Sequence, residues 1–115
     1  MIHHVSIEAT AGELDMCVHF YSILGFEEVV PPGELADRGR WLEAEGSQVH
    51  VLEADRPQIS DSTHFAVVVE DFEDVFDRLE AMHFEPERRS EYWGSPRALV
   101  HDPAGNLVEF MEFAP

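Results

Sequence analysis

Asp102-Pro103-Ala104-Gly105-Asn106-Leu107-Val108-Glu109-Phe110 reads as a turn that runs into a strand. Asp-Pro and Ala-Gly-Asn carry turn chemistry, and Leu107, Val108 and Phe110 carry strand propensity. Side chains alternate along a strand, so Glu109 shares a face with Leu107 and Met111 while Val108 and Phe110 look the other way. A carboxylate in such apolar company is costly to bury without a cation or hydrogen-bond donors. The residues around it therefore have to supply a partner.

The same pattern occurs once before. Gly46 precedes His50 by four positions, as Gly105 precedes Glu109, and both pairs close a hairpin and enter the last strand of a half. Working outward, Met1 to Ala9 reads as a strand with Val5 and Ile7 on one face and His4, Ser6 and Glu8 on the other. Thr10 to Glu13 resembles a capping box, and Leu14, Cys17, Val18, Tyr21 and Leu24 recur at helical spacing until Gly25. Strands follow at Phe26 to Val30, Arg40 to Ala44 and Ser47 to Glu53. The polar segment Glu34 to Gly39 reads as a loop, and Glu45-Gly46 as a tight turn.

After a linker from Ala54 to Ser62 the order returns. Thr63 to Val69 is a strand. Asp71 caps a helix carrying Phe72, Val75, Phe76, Leu79 and Met82. Phe84 to Arg89 is a weak strand interrupted by Pro86, Arg97 to His101 is a strand, and the last strand runs to Phe113. Leu14 aligns with Phe72, Gly25-Phe26 with His83-Phe84, and Gly46 with Gly105, a period close to 59 residues. Two copies make no solenoid. The expectation is one α+β unit over residues 1–115, built from two βαβββ modules, 1–54 and 63–115, about a pseudo-twofold axis.

Composition narrows the partners. Seven arginines and no lysine stand against 24 acidic residues, a net charge of −17, which repels nucleic acid and anionic membranes. The same acid excess fits a chain kept soluble in high salt. The N-terminus lacks a basic segment followed by an apolar run, and Cys17 is the only cysteine, so a reducing cytoplasm is expected. A position on the apolar face of its helix makes Cys17 a buried thiol rather than a nucleophile.

The repeat pairs His4 with His64 and His50 with Glu109. All four fall on the strand faces opposite the apolar ones, and a pseudo-twofold arrangement brings them toward one centre. Imidazole and carboxylate together suit an open divalent-metal site for Fe, Mn, Co, Ni or Zn, with positions left for water or substrate oxygens. His50 reads as a further ligand, and a substrate-facing or supporting histidine would give the same pattern. His3, His19, His83 and His101 are read as ordinary surface or core residues.

His3-His4-Val5-Ser6, Phe20-Tyr21-Ser22-Ile23-Leu24-Gly25-Phe26, Thr63-His64-Phe65-Ala66 and Asp102 to Glu109 together resemble the vicinal-oxygen-chelate superfamily, also called the glyoxalase/bleomycin-resistance/dioxygenase superfamily. Arg40-Trp41-Leu42 and Gln48-Val49-His50-Val51-Leu52 are especially similar to its small glyoxalase I-like members. The resemblance implies a cupped mixed sheet with helices outside, one divalent metal on His4, His64 and Glu109 with His50 at a fourth ligand position, and a homodimer that exchanges halves. It further implies a lyase or isomerase of lactoylglutathione lyase type, with Glu109 or His50 as proton carrier and a thiol cosubstrate. Glyoxalase I is expected to carry glutamate where this chain has His50. A pocket lined by Trp41, Trp93 and Arg97 is the expected place for a small substrate. The superfamily also holds fosfomycin-type thiol transferases, dioxygenases and non-catalytic bleomycin-binding proteins.

Overall fold

The computed structural model describes residues 1–115. The first module comprises β1 (His4–Ala9), a 3-10 turn (Ala11–Glu13), α1 (Leu14–Ile23), β2 (Glu27–Val29), β3 (Gly39–Ala44) and β4 (Ser47–Glu53). The second comprises β5 (His64–Val68), α2 (Phe72–Ala81), β6 (Glu87–Arg89), β7 (Arg97–His101) and β8 (Leu107–Met111). Each module folds its strands into a mixed four-stranded sheet, in the order β1-β4-β3-β2 and β5-β8-β7-β6. The first and last strands of a module run parallel and the other pairs antiparallel. This is the α+β architecture of two βαβββ modules expected from the repeat.

Helix ends repeat as faithfully as the strands. After α1, Gly25 N–H donates to Ser22 O and Phe26 N–H to Tyr21 O, at 3.1 and 3.0 Å. After α2, His83 N–H donates to Glu80 O and Phe84 N–H to Leu79 O, at 2.9 and 3.0 Å. Both are Schellman endings, whose turning residue takes a positive φ: 101° at Gly25 and 64° at His83. The motif delivers Phe26 and Phe84 to the core, so β2 and β6 start after them and are shorter than the alternation suggests. Pro86, which lacks an N–H, also keeps β6 short.

Three further boundaries differ from the expected ones. Pairing with β4 starts at His4, so Met1 to His3 stay outside the strand. The segment read as a loop is a 3-10 helix, Gly33–Arg38. Gly39 then enters β3 at φ 152°, where an added Cβ would lie 2.0 Å from Val51 O, so only glycine lets the two strands approach there.

One core of 20 buried residues spans both modules. Leu14, Cys17, Phe20, Tyr21 and Leu24 of the first helix segment meet Val49, Val51 and Leu42 of its sheet. Phe72, Val75, Phe76 and Leu79 do the same over Val108, Phe110, Ala98 and Val100. Each large side chain so buried stabilises the fold by about 1.5–3 kcal/mol before entropy is counted. Phe20 packs edge-on to Phe84 at 5.1 Å, and Tyr21 stacks on Phe65 at 6.4 Å, joining the modules.

The seam is also polar. Tyr21 Oη donates to Asp102 Oδ2 at 2.7 Å, Asn106 Nδ2 donates to Glu8 O at 3.0 Å, and Gln58 N–H donates to Glu8 Oε1 at 2.7 Å. Asp102 Oδ1 accepts the N–H groups of Ala104 and Asn106, both at 2.9 Å, so the turn chemistry of the last hairpin doubles as an inter-module tie. The chain measures 43 × 27 × 24 Å, and no helix is long and apolar enough to cross a membrane.

Candidate functional site

With both helices on the core side, the opposite faces of the two sheets carry the chemistry. Strand register builds one row from Ser6, His50, Trp41 and Val29 in the first sheet. The matching row in the second sheet is Ala66, Glu109, Leu99 and Glu87. His50 and Glu109 thus occupy equivalent places on the inner strands β4 and β8, and His4 and His64 open the neighbouring strands β1 and β5.

In the first module the hairpin sets the site. Glu45 and Gly46 both have positive φ, 48° and 86°, as a two-residue type I′ turn requires. That register places Glu43 opposite Gln48 and Trp41 opposite His50. The His50 ring is stacked on Trp41 at 4.0 Å with 5° between planes, and on His4 at 4.0 Å with 15°. Covered on both faces, it is only 5% exposed. Its Nε2 lies 2.8 Å from Gln48 Oε1, and Gln48 Nε2 donates to Glu43 Oε1 at 3.1 Å. Burial, followed by repulsion from His4 and His3, holds the His50 pKa below the usual histidine value. His3 Nδ1 and His4 Nδ1 are 2.9 Å apart, so one of the two rings donates to the other.

In the second module the centre is Glu109, 9% exposed. Arg97 Nη1 donates to Glu109 Oε1 at 2.9 Å, and His64 Nε2 lies 3.3 Å from Glu109 Oε2. Arg97 is further fixed by donating from Nε to Ser90 O at 2.6 Å and by lying 5.1 Å over the Tyr92 ring. His64 Nδ1 is 2.8 Å from Ser62 O. A carbonyl only accepts, so Nδ1 carries the proton and the Nε2 lone pair of a neutral ring faces the carboxylate. Two acceptors at that distance need a hydrogen or a cation between them: a proton on the ring or on the carboxyl group, or a metal ion. The pair therefore suits a divalent metal by the chemistry of its donors.

One chain brings these residues together as two pairs and not as a quartet. His4 meets His50, and His64 meets Glu109, but no group of three or more His, Cys, Asp or Glu side chains is arranged to hold a metal ion. The four expected ligands therefore do not form one group within a single chain. The helix-packed faces of both sheets merge into one core, which leaves the two pairs on separate sheets.

The remaining expected site residues are placed as follows. Trp41 lies against His50. Arg97 is spent on Glu109 and Ser90. Trp93 donates its indole N–H to Phe113 O at 2.8 Å and so fastens the chain end. A cleft of about 420 Å³ opens at the seam of β1 and β5, bordered by Ser6, Glu8, Leu52, His64 and Leu107. Gln48, Glu43 and Ser62, which orient the histidines, carry no periodic signal, although the Glu45-Gly46 turn fixes the Glu43–Gln48 pairing by counting back across the hairpin.

Known proteins share this fold. A glyoxalase family protein from Bacillus anthracis has a TM-score of 0.85 and 27% identity, over 96% of this chain and 93% of that one. Lactoylglutathione lyase from Agrobacterium tumefaciens has a TM-score of 0.70 and 24% identity, over 96% and 92%. A variant of the fosfomycin resistance protein FosX from Listeria monocytogenes, complexed with Mn(II) and a dihydroxypropylphosphonic acid, has a TM-score of 0.72 and 16% identity, over 99% and 93%. The latter two likenesses speak to fold alone. No curated protein matches the chain. Residues 1–110 match the family model for these proteins, and the chain belongs to the Glyoxalase/Bleomycin resistance protein/Dioxygenase superfamily.

Proposed function

We propose that the chain is a divalent-metal-dependent enzyme of glyoxalase I type, a lyase or isomerase that moves a proton on a small substrate with two neighbouring oxygens. Its active centre is completed between two copies of the chain. The observation that carries the reading is the His64 lone pair facing the Glu109 carboxylate, with Ser62 O holding the ring in that tautomer. His4 and His50 form the complementary half on the other module. A twofold pairing of two chains sets the first module of one against the second module of the other and builds two equivalent centres.

His4, His64 and Glu109 are the residues that would hold the ion, with His50 stacked beside His4. A divalent ion there would supply a Lewis acid for the substrate oxygens. Arg97 holds one oxygen of Glu109 and the ion would take the other, so His50 is the freer proton acceptor of the two candidates. Trp41 covers the far face of His50 and keeps water from it. A thiol adduct is the substrate class to assay first, with a sequestering role for an antibiotic as the non-catalytic alternative.

The test is complementation between differently tagged His4→Ala and His64→Ala chains, read by elemental analysis. Wild type is expected to carry about one ion per chain and each variant alone almost none. The heterodimer has one centre with both lesions and one with neither, so it should carry about one ion per two chains. A metal-free heterodimer beside a metal-loaded wild type would refute the shared centre, and a wild type that stays empty after reconstitution would refute the metal reading.

A further inference from the structure

We infer that Gln48, itself held by Glu43, is a positioning residue that locks His50 as the Nε2–H tautomer, so that His50 stands beside the metal centre without ligating through Nε2. Its consequence for the metal rests on the function proposed above; the tautomer assignment does not.

The assignment follows from donors and acceptors alone. An ionised Glu43 carboxylate only accepts, so Gln48 presents its NH₂ group to it, at 3.1 Å. The amide oxygen of Gln48 is thereby turned toward His50 Nε2, at 2.8 Å. An amide oxygen only accepts, and Nε2 must carry a hydrogen. The neutral ring then keeps its lone pair on Nδ1, which has no partner in the protein. Opposite registry of Glu43 with Gln48, and of Trp41 with His50, fixes the chain of bonds on rigid strands.

Packing reinforces the lock. Trp41 and His4 clamp the two ring faces at 4.0 Å, so exchanging the nitrogens by a ring flip requires both neighbours to move. Nε2 is thereby removed from the ligand set, and Nδ1 is the one ring nitrogen of His50 with a lone pair to offer. Nδ1 of His50 remains as a base.

Long-range ¹H–¹⁵N correlation of histidine-labelled protein reads the tautomer directly, before and after loading with Zn(II). Wild type is expected to show a protonated-type Nε2 and a lone-pair-type Nδ1 in His50 under both conditions. Gln48→Leu should give a mixture of tautomers, whereas Gln48→Glu, which restores an acceptor, should keep Nε2–H. A lone-pair or metal-shifted Nε2 in His50, or an unchanged tautomer in Gln48→Leu, would overturn the inference. If wild type binds no Zn(II), the proposed function fails while the spectrum still decides the tautomer.

Discussion

Tyr21 and Asp102, 81 positions apart, meet in the core through a 2.7 Å hydrogen bond that ties the first helix to the last hairpin. Asp102 is 4% exposed, and burial raises its pKa against the opposing effect of bonds from Tyr21, Asn106 and Ala104. Tyr21→Phe removes one donor and leaves a buried carboxylate with less support. A hydrogen bond to a charged, buried group contributes about 1.5–3 kcal/mol, so urea unfolding should show a loss of that size with an unchanged slope. A midpoint indistinguishable from wild type would show that Asn106 and the backbone suffice for Asp102.

That contact also marks the limit of what the residues reveal in order. Periodicity and turn chemistry are local, so Gly25, the Glu45-Gly46 hairpin, the Asp71 cap and the pairing of His50 with Glu109 were all legible. Partnerships across modules were not, because a buried apolar face is satisfied by any other apolar face. The same holds for function. His4, His64 and Glu109 stood out as chemistry on alternating strands, yet the separation of the two pairs depends on how the modules dock. For Arg97 and Trp93 the sequence leaves both a substrate contact and a structural role open, and the structure gives their donors to Glu109 and Phe113 O.

The two helix endings provide a controlled comparison. Gly25 and His83 do the same geometric job at φ 101° and 64°, but only glycine does it without Cβ strain, which costs about 1–2 kcal/mol in the left-handed region. His83 is exposed and makes no side-chain bond. His83→Gly should therefore raise stability by about 0.5–1 kcal/mol, and Gly25→Ala should lower it by about 1 kcal/mol, both read as shifts in melting temperature. A His83→Gly protein less stable than wild type would mean that the added freedom of the unfolded chain outweighs the relieved strain.

Cys17 is fully buried, and desolvation, then Asp102 and Glu13, push its thiol up to about 12. Folding thus disfavours the thiolate, and the contribution is intact below pH 9 and lost as pH rises from the ordinary value of 9.0 toward 12. Native protein at pH 8 should react with an alkylating reagent only as fast as it unfolds, and Cys17→Ala should flatten the alkaline loss of stability. Rapid labelling of folded protein would place the thiol at the surface in solution.

Arg97 sits beside Glu109 as the permanent positive charge of the second half-site, at 2.9 Å, and both side chains are largely shielded from water. Arg97→Met takes that charge away and leaves the carboxylate with His64 alone. Removing one partner of a buried pair costs about 3–5 kcal/mol, and the partial exposure of Glu109 lowers this to about 2–3 kcal/mol. A divalent ion at His64 and Glu109 would replace the missing charge. Added Zn(II) or Mn(II) should therefore raise the melting temperature of Arg97→Met by more than it raises that of wild type, while Glu109→Gln should gain little. Equal metal shifts in wild type, Arg97→Met and Glu109→Gln would detach metal binding from Glu109. A variant as stable as wild type without metal would show instead that Arg97 contributes no net stabilisation to the carboxylate it touches.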